Sequence, residues 1–425
     1  MTTTGISAQD RPEPVTAGQA AMFLASQKDP TGCSFTTEFT ASVHGPLDRA
    51  RVARAARALT AGTPALRLRM TIDPWTGEVV HSFSDQPLEV TWHTAAEDEL
   101  PALLAAQTRR PVETDDEPLA RLVVAEHRPG HHSVALIIHH LAMDGLSQIP
   151  LLRRLGLALA GRPHHEPEAL YREAVRRVRD AERTAVREDR AHWHARVPSA
   201  LELPRWDGPG ARPDGTPQRP GPSGTLRRTL SASCAHGLIR RADEAGTRLT
   251  HLLTAAVHHA APVRSGSPMA VCGAASVRPR KGAVGEVIGC FINEVPLLAQ
   301  VAPGQSVIDT ARAHQAGWRE DLRRRNFPFA QLAARVAQPV PGEAAAIDSV
   351  VVSHRQLPST LTWEHDGLRF SSRLHQRYPA AKTELAVRFF QDAGALTYEV
   401  QWGRDLPEGL GELFCARLLA VLQGL

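Results

Sequence analysis

The residue types best suited to chemistry lie in one short stretch, Ile137–Ser147, reading IIHHLAMDGLS. It holds His139, His140, Asp144 and Gly145 in the spacing HHxxxDG. A neutral histidine titrates close to working pH, so it can take a proton from a nucleophile or hold one. A carboxylate four residues later can hold an arginine and fix the turn. A glycine lets the backbone bend or lie close to a ligand. Other histidine pairs, at His131–His132, His164–His165 and His258–His259, read as surface or loop residues. A zinc reading of His131, His132, His139 and His140 lacks a helical HExxH or a cysteine partner, so no metal is assigned.

These residues need a strand to present them and a helix to receive the chain. Arg121–Glu126 and Ser133–His140 alternate like apolar strands, and a helix is predicted at about 148–160. Upstream, Ser34–Gly45 reads as a strand and Asp48–Thr60 as a helix. Glu166–Val197 reads as a long charged helix or helix pair with Leu170, Val175 and Val178 on one face. Arg205–Gly224 is rich in Pro and Gly and cannot be a core element. After it, Thr225–Leu230, Met269–Val277, Val287–Gln300, Ser349–His354, Leu368–Ser372, Glu384–Gln391 and Ala395–Gln401 read as strands. Ser233–Gly246, Leu249–Ala260, Val307–Arg325 and Glu408–Leu422 read as helices. The fold class is α/β (α+β), in two halves. The first covers 1–180, a helix and Pro/Gly-rich connection covers 181–224, and the second half covers 225–425.

The chain has 425 residues and is 42% hydrophobic, enough for two or three domain-sized units and too apolar for a disordered chain. No run of about 18 apolar residues occurs, so no membrane span is predicted. The first residues, MTTTGISAQDRPEP, show no basic and apolar leader. Net charge is only +4, weak grounds for a nucleic-acid partner. All but three of the 49 Lys and Arg are Arg, which reads as GC-rich coding bias of the actinobacterial kind. The five cysteines lack CxxC spacing and point to a reduced, cytoplasmic protein.

HHLAMDGLS resembles the active-site motif of nonribosomal peptide synthetase condensation domains, members of the chloramphenicol-acetyltransferase-like superfamily. Further segments follow in that family's order. Thr16-Ala17-Gly18-Gln19-Ala20-Ala21-Met22-Phe23 resembles the opening SxAQxRMW. Gly45-Pro46-Leu47-Asp48 resembles G-x-LD, and Leu66-Arg67 resembles the end of RHExLR. Tyr171 and Trp193 fit the helix region between the halves. Ile288-Gly289-Cys290-Phe291-Ile292-Asn293 is similar to IGxFVNT, and Asn326–Leu332 is similar to the end of HQDYPFEQL. Asp348–Ser353 stands where the last motif and its strand belong. The resemblance runs from about residue 16 to the C-terminus.

It implies two acetyltransferase-like subdomains in a V-shaped pseudo-dimer with a central tunnel. His140 becomes the catalytic residue, as base, positioning group or stabiliser of the tetrahedral intermediate, and His139 is structural. Asp144 faces away and pairs with an arginine, Arg67 or Arg278. Gly145 lies where pantetheine passes, and Asn293 and Ser353 are tunnel or substrate-binding candidates. The donor is a phosphopantetheine thioester on a separate acyl or peptidyl carrier protein, and no cofactor is bound. The acceptor is a small amine, amino sugar or alcohol, so the product is an amide or an ester of natural-product biosynthesis. Monomer is the default state.

The sequence also departs from the family. Gly62-Thr63-Pro64-Ala65 replaces RHEx. Arg323–Arg325 replaces the His-Gln region, and Glu294 replaces the threonine after the asparagine. Ser276-Val277-Arg278-Pro279-Arg280 reads like the V-x-L-R-P-R segment of stand-alone acyltransferases. These departures argue against a standard elongation role and leave acyl transfer intact. No phosphopantetheine attachment site, P-loop or adenylation motif is present, which suits a free-standing condensation enzyme. The alternatives are a CoA-dependent O- or N-acyltransferase, disfavoured by the missing DFGWG, and a non-catalytic recruitment platform. An epimerisation domain lacks support because no EGHGR-type motif occurs.

Overall fold

The computed structural model describes residues 12–115, 117–197, 223–261, 269–279, 281–336, 349–356, 358, 360–374, 378–392, 394–404 and 406–425. Most of the Arg205–Gly224 connection, together with Arg280 and Asp348, lies outside the described residues. Contacts divide the chain into two compact units. The first is Met1–Asp180, Arg278–Ile292 and Ser359–Ala380. The second is Ala181–Val277, Asn293–Pro358 and Ala381–Leu425. Both are mixed α/β.

The first unit is built on a six-stranded sheet. Its order is Thr360–His365, Leu368–Arg373, Thr36–His44, His131–His139, Ala120–Arg128, Glu89–Thr94. Neighbours are antiparallel except the last pair. The His131–His139 strand is central, and all nine of its residues are buried. A strand buried on both faces reads as a continuous apolar run, as SVALII does here. Helix Arg49–Ala61 packs on helix Gln148–Leu159. Helix Leu100–Thr108 covers Val123, Ala135 and Ile137 through Leu104. A smaller sheet joins Glu13–Pro14, Val79–Phe83 and Leu68–Ile72.

The second unit has its own six-stranded sheet, ordered Ile292–Ala299, Met269–Ser276, Val350–Gln356, Leu385–Asp392, Ala395–Trp402, Gly224–Thr229. Helices Ala232–Glu244, Leu249–Ala260 and Leu410–Gly424 close over it. Leu252, Leu253 and Val257 meet Val387, Phe389, Tyr398, Phe414 and Leu418 in one buried cluster.

Three expectations change. The contiguous second half at 225–425 is not the compact unit, because two of its segments belong with the first. Leu368–Arg373 forms hydrogen bonds with Thr36–His44, with Phe370 opposite Val43, and Arg278, Gly289 and Phe291 bond to Asp144. The strand expected over Val287–Gln300 starts only at Ile292. Residues 287–291 engage side chains of the first unit through their backbone groups instead of forming a ladder. The histidine pairs are not all superficial. His164 and His165 are exposed, but His131, His132 and His258 are buried. His131 is held by Ser42 Oγ at 3.0 Å and stacks on His44. His258 lies within 3.2 Å of the Thr254 and Met269 carbonyls. A strand start or helix face that points inward recruits histidine when carbonyls and hydroxyls there can satisfy it.

Candidate active site

The central strand ends at His139, and a short 3-10 turn, His140–Ala142, follows before helix Gln148–Leu159. The turn is fixed at its backbone. His139 N donates to Leu119 O at 2.8 Å, His140 N to Phe35 O at 2.8 Å, and Met143 N to His140 O at 3.2 Å. His139 Nδ1 accepts from Leu141 N at 3.2 Å, so its ring caps the turn and serves structure. His140 is also buried, and its Nδ1 faces the Cys290 sulfur at 3.9 Å. The Tyr378 ring lies nearly parallel to the His140 ring, at an angle of 26°.

Asp144 is 1% exposed, and both of its carboxylate oxygens are engaged. Oδ1 accepts from Leu146 N and Ser147 N at 3.1 and 3.0 Å. Arg278 Nη2 lies 2.9 Å from Oδ1 and 3.0 Å from Oδ2, and Phe291 N donates to Oδ2 at 3.1 Å. Arg278 also donates to the Val287 carbonyl and to Ser147 Oγ, and its guanidinium lies over the Phe291 ring. Gly289 N donates to Ser147 Oγ at 3.2 Å. A carboxylate so occupied organises the loop.

The other arginine candidate is elsewhere. Arg67 pairs with Glu168 and Asp85 and donates to the Ser84 carbonyl. Gly145 is exposed. Asn293 is buried, and its amide is committed to backbone: Nδ2 donates to Arg325 O and Phe327 O, and Oδ1 accepts from Phe329 N at 3.1 Å. It pins residues 325, 327 and 329. Ser353 sits half-buried on the Val350–Gln356 strand of the second unit.

Three contributors escaped the sequence reading. Cys290 and Ser147 lie inside motifs already singled out, but nothing in their spacing shows that they touch His140 and Arg278. Glu166 is buried against Arg154 and accepts from Ile288 N at 3.2 Å. Burial pushes its carboxyl up, and Arg154 and the Ile288 amide pull it back. Thr16 and Gln19 close a capping box, and Gln19 Nε2 donates to the Tyr171 hydroxyl at 2.8 Å. That gives the opening motif a structural reason: it ties the first helix to helix Glu168–Glu188.

Two α/β units and an HHxxxDG turn at a strand exit define a chloramphenicol-acetyltransferase-like fold. The family model of the condensation domain matches residues 10–406, and the chain belongs to that family. It is 24% identical over 399 residues to surfactin synthase subunit 2 of Bacillus subtilis (strain 168), covering 92% of this chain and 11% of that protein. It is 25% identical over 354 residues to fumosorinone synthetase of Cordyceps fumosorosea (strain ARSEF 2679), covering 81% of this chain and 8% of that protein. The chain therefore spans roughly a tenth of the length of these curated relatives.

Among solved structures, the complex of the X-domain and OxyB from teicoplanin biosynthesis superposes with TM-score 0.77 at 21% identity, covering 100% of this chain and 96% of that one. The first condensation domain of the calcium-dependent antibiotic synthetase, with a substrate analogue, gives TM-score 0.74 at 20% identity, covering 98% and 96%. A variant of the starter condensation domain of rhizomide synthetase, in complex with C8-CoA and Leu-SNAC, gives 0.74 at 16% identity, covering 99% and 96%. Among the described residues, no helix is long and apolar enough to cross a membrane.

Proposed function

We propose that this chain transfers an acyl or aminoacyl group from the phosphopantetheine thioester of a separate carrier protein to a soluble amine, with a hydroxyl as the alternative acceptor. A C–N bond forms, the C–S bond breaks, and the proton lost by the amine ends on the released thiol. The observation that carries this reading is His140. It is a buried imidazole at a strand exit, with its backbone fixed on both sides, five residues before an exposed glycine. Gly145 has no side chain to obstruct a pantetheine arm. Proximity supplies much of the rate in such a reaction, and His140 handles the proton or the oxyanion of the tetrahedral intermediate.

The soluble acceptor rests on the departures at 62–65. Thr63, Pro64 and Ala65 are buried, and a Cβ at Gly62 would lie 2.0 Å from the His164 carbonyl oxygen. That corner is packed shut with small side chains where the family carries charged ones. A second reading, a recruitment platform, draws on the likeness to the X-domain solved with OxyB.

Mass spectrometry of the purified protein with loaded carrier proteins, a pool of amines and parallel acyl-CoA donors tests the proposal. Product from carrier-bound thioester only, reduced on the order of 100-fold or more in His140→Ala, is the expected result. Product from acyl-CoA alone moves the enzyme to the CoA-dependent class. Unchanged product formation in His140→Ala overturns the catalytic role. Tight carrier binding without turnover favours the platform. Light scattering is expected to show a monomer.

A further inference from the structure

Cys290 stands at the junction between the buried carboxylate and the catalytic imidazole. Its peptide neighbours are both fixed by Asp144: Asp144 N donates to Gly289 O at 3.1 Å, and Phe291 N donates to Asp144 Oδ2 at 3.1 Å. Gly289 is further held by Ser147, and a Cβ there would strike the Phe291 and Tyr171 rings. The backbone on each side of Cys290 is thus immobilised. Its side chain is 1% exposed, and its sulfur meets His140 Nδ1 at 3.9 Å.

A neutral imidazole carries one N–H and one lone pair, and the group facing one nitrogen decides which is which. In a Ser-His-Asp triad the general-base histidine keeps its proton on Nδ1, where a carboxylate holds it. Here the motif carboxylate is committed to Arg278, Ser147, Leu146 and Phe291. A thiol faces Nδ1. A thiol is a weak donor and a weak acceptor, whereas an unprotonated imidazole nitrogen is a good acceptor.

We infer that the Cys290 thiol donates to Nδ1 of His140 and holds the ring in its Nε2–H form, making His140 the hydrogen-bond donor to the oxyanion rather than the base. The inference rests on the acyl-transfer reading and deepens it. The neutral amine attacks the thioester carbonyl, a C–N bond forms, and the carbonyl oxygen becomes an oxyanion that Nε2–H supports. Collapse breaks the C–S bond, and the ammonium proton passes to the departing thiolate. Cys290 is a positioning residue acting through His140, and Asp144 acts through Cys290.

Long-range proton–nitrogen correlation spectra of histidine-labelled protein near neutral pH read the tautomer directly, with His140 assigned by comparison with His140→Ala. The wild type is expected to show an unprotonated Nδ1 and a protonated Nε2. Cys290→Ser should keep that form, and Cys290→Ala should lose it. With Cys290→Ala, kcat should fall roughly two- to fivefold at unchanged KM, the effect of one weak hydrogen bond, and Cys290→Ser should recover most of it. A wild-type spectrum with Nδ1 protonated, or a Cys290→Ala spectrum like the wild type, overturns the inference. If Cys290→Ala does not fold, the wild-type and Cys290→Ser spectra decide alone. These spectra need no substrate, so they fail separately from the transfer assay, whose own failure is full activity in His140→Ala.

Discussion

Arg278 meets Asp144 across 134 residues of sequence, at 2.9 and 3.0 Å, with both side chains buried. Removing one partner strands the other charge. Arg278→Ala is expected to lower unfolding free energy by about 3–5 kcal/mol, and Asp144→Ala by a similar amount. The double variant Asp144→Asn/Arg278→Met should lose less than the two single losses added together, because no charge is left unpaired. Urea unfolding of the four proteins checks this. A single variant within about 0.5 kcal/mol of wild type would show that the pair does not organise the loop.

Two helical glycines, Gly18 in helix Ala17–Gln27 and Gly237 in helix Ala232–Glu244, offer a contrast. A Cβ at Gly18 would sit 2.2 Å from the Ile292 carbonyl oxygen, a backbone atom that cannot swing aside. A Cβ at Gly237 meets nothing within 4 Å. Gly18→Ala is expected to destabilise by about 1–3 kcal/mol and to disturb the Gln19–Tyr171 bond. Gly237→Ala, in the interior of helix Ala232–Glu244, should stabilise by about 0.5–1 kcal/mol through helix propensity alone. Equal effects at the two sites would contradict the close approach.

Elements with clear periodicity were legible from the chain. Strand His131–His139, the turn after it and helix Gln148–Leu159 fall where apolar runs and the HHxxxDG spacing put them. What was illegible is which elements meet. Leu368–Arg373 reads as a strand locally, but nothing local says that it pairs with Thr36–His44 more than 300 residues earlier. Apolar residues 287–291 read as strand because burial by ligating Asp144 and burial in a ladder give the same pattern. Cys290 gave no signal, since a small apolar residue in a motif looks like packing until its distance to His140 is known.

Asn293 tests the difference between lining a site and holding a loop. Its amide makes three hydrogen bonds to backbone at 325, 327 and 329. Asn293→Ala leaves those buried groups unsatisfied, at about 1–3 kcal/mol each before relaxation. A clear fall in melting temperature is expected, with KM for the acceptor little changed in the folded fraction. A KM rise without loss of stability would place Asn293 on the substrate path.

Among the described residues, four buried histidines carry the largest shifts and lead the pH response. Burial is the first cause in each, holding His81, His251 and His258 down to about 4 and His314 to about 3. The His258 and His314 rings are 4.8 Å apart, so a proton on one further opposes a proton on the other. In the unfolded chain each titrates at about 6.5. Between that value and the lower native one, the unfolded state binds more protons, so stability is full above pH 6.5 and declines as pH falls. Each histidine forced to stay neutral contributes at most about 1.4 kcal/mol per pH unit in that window. Urea midpoints should therefore drop steadily from pH 7 to pH 5. His314→Leu should flatten that slope by about one proton, without steepening it anywhere. An unchanged slope in that variant would mean that His314 is protonated in the native state or reaches water.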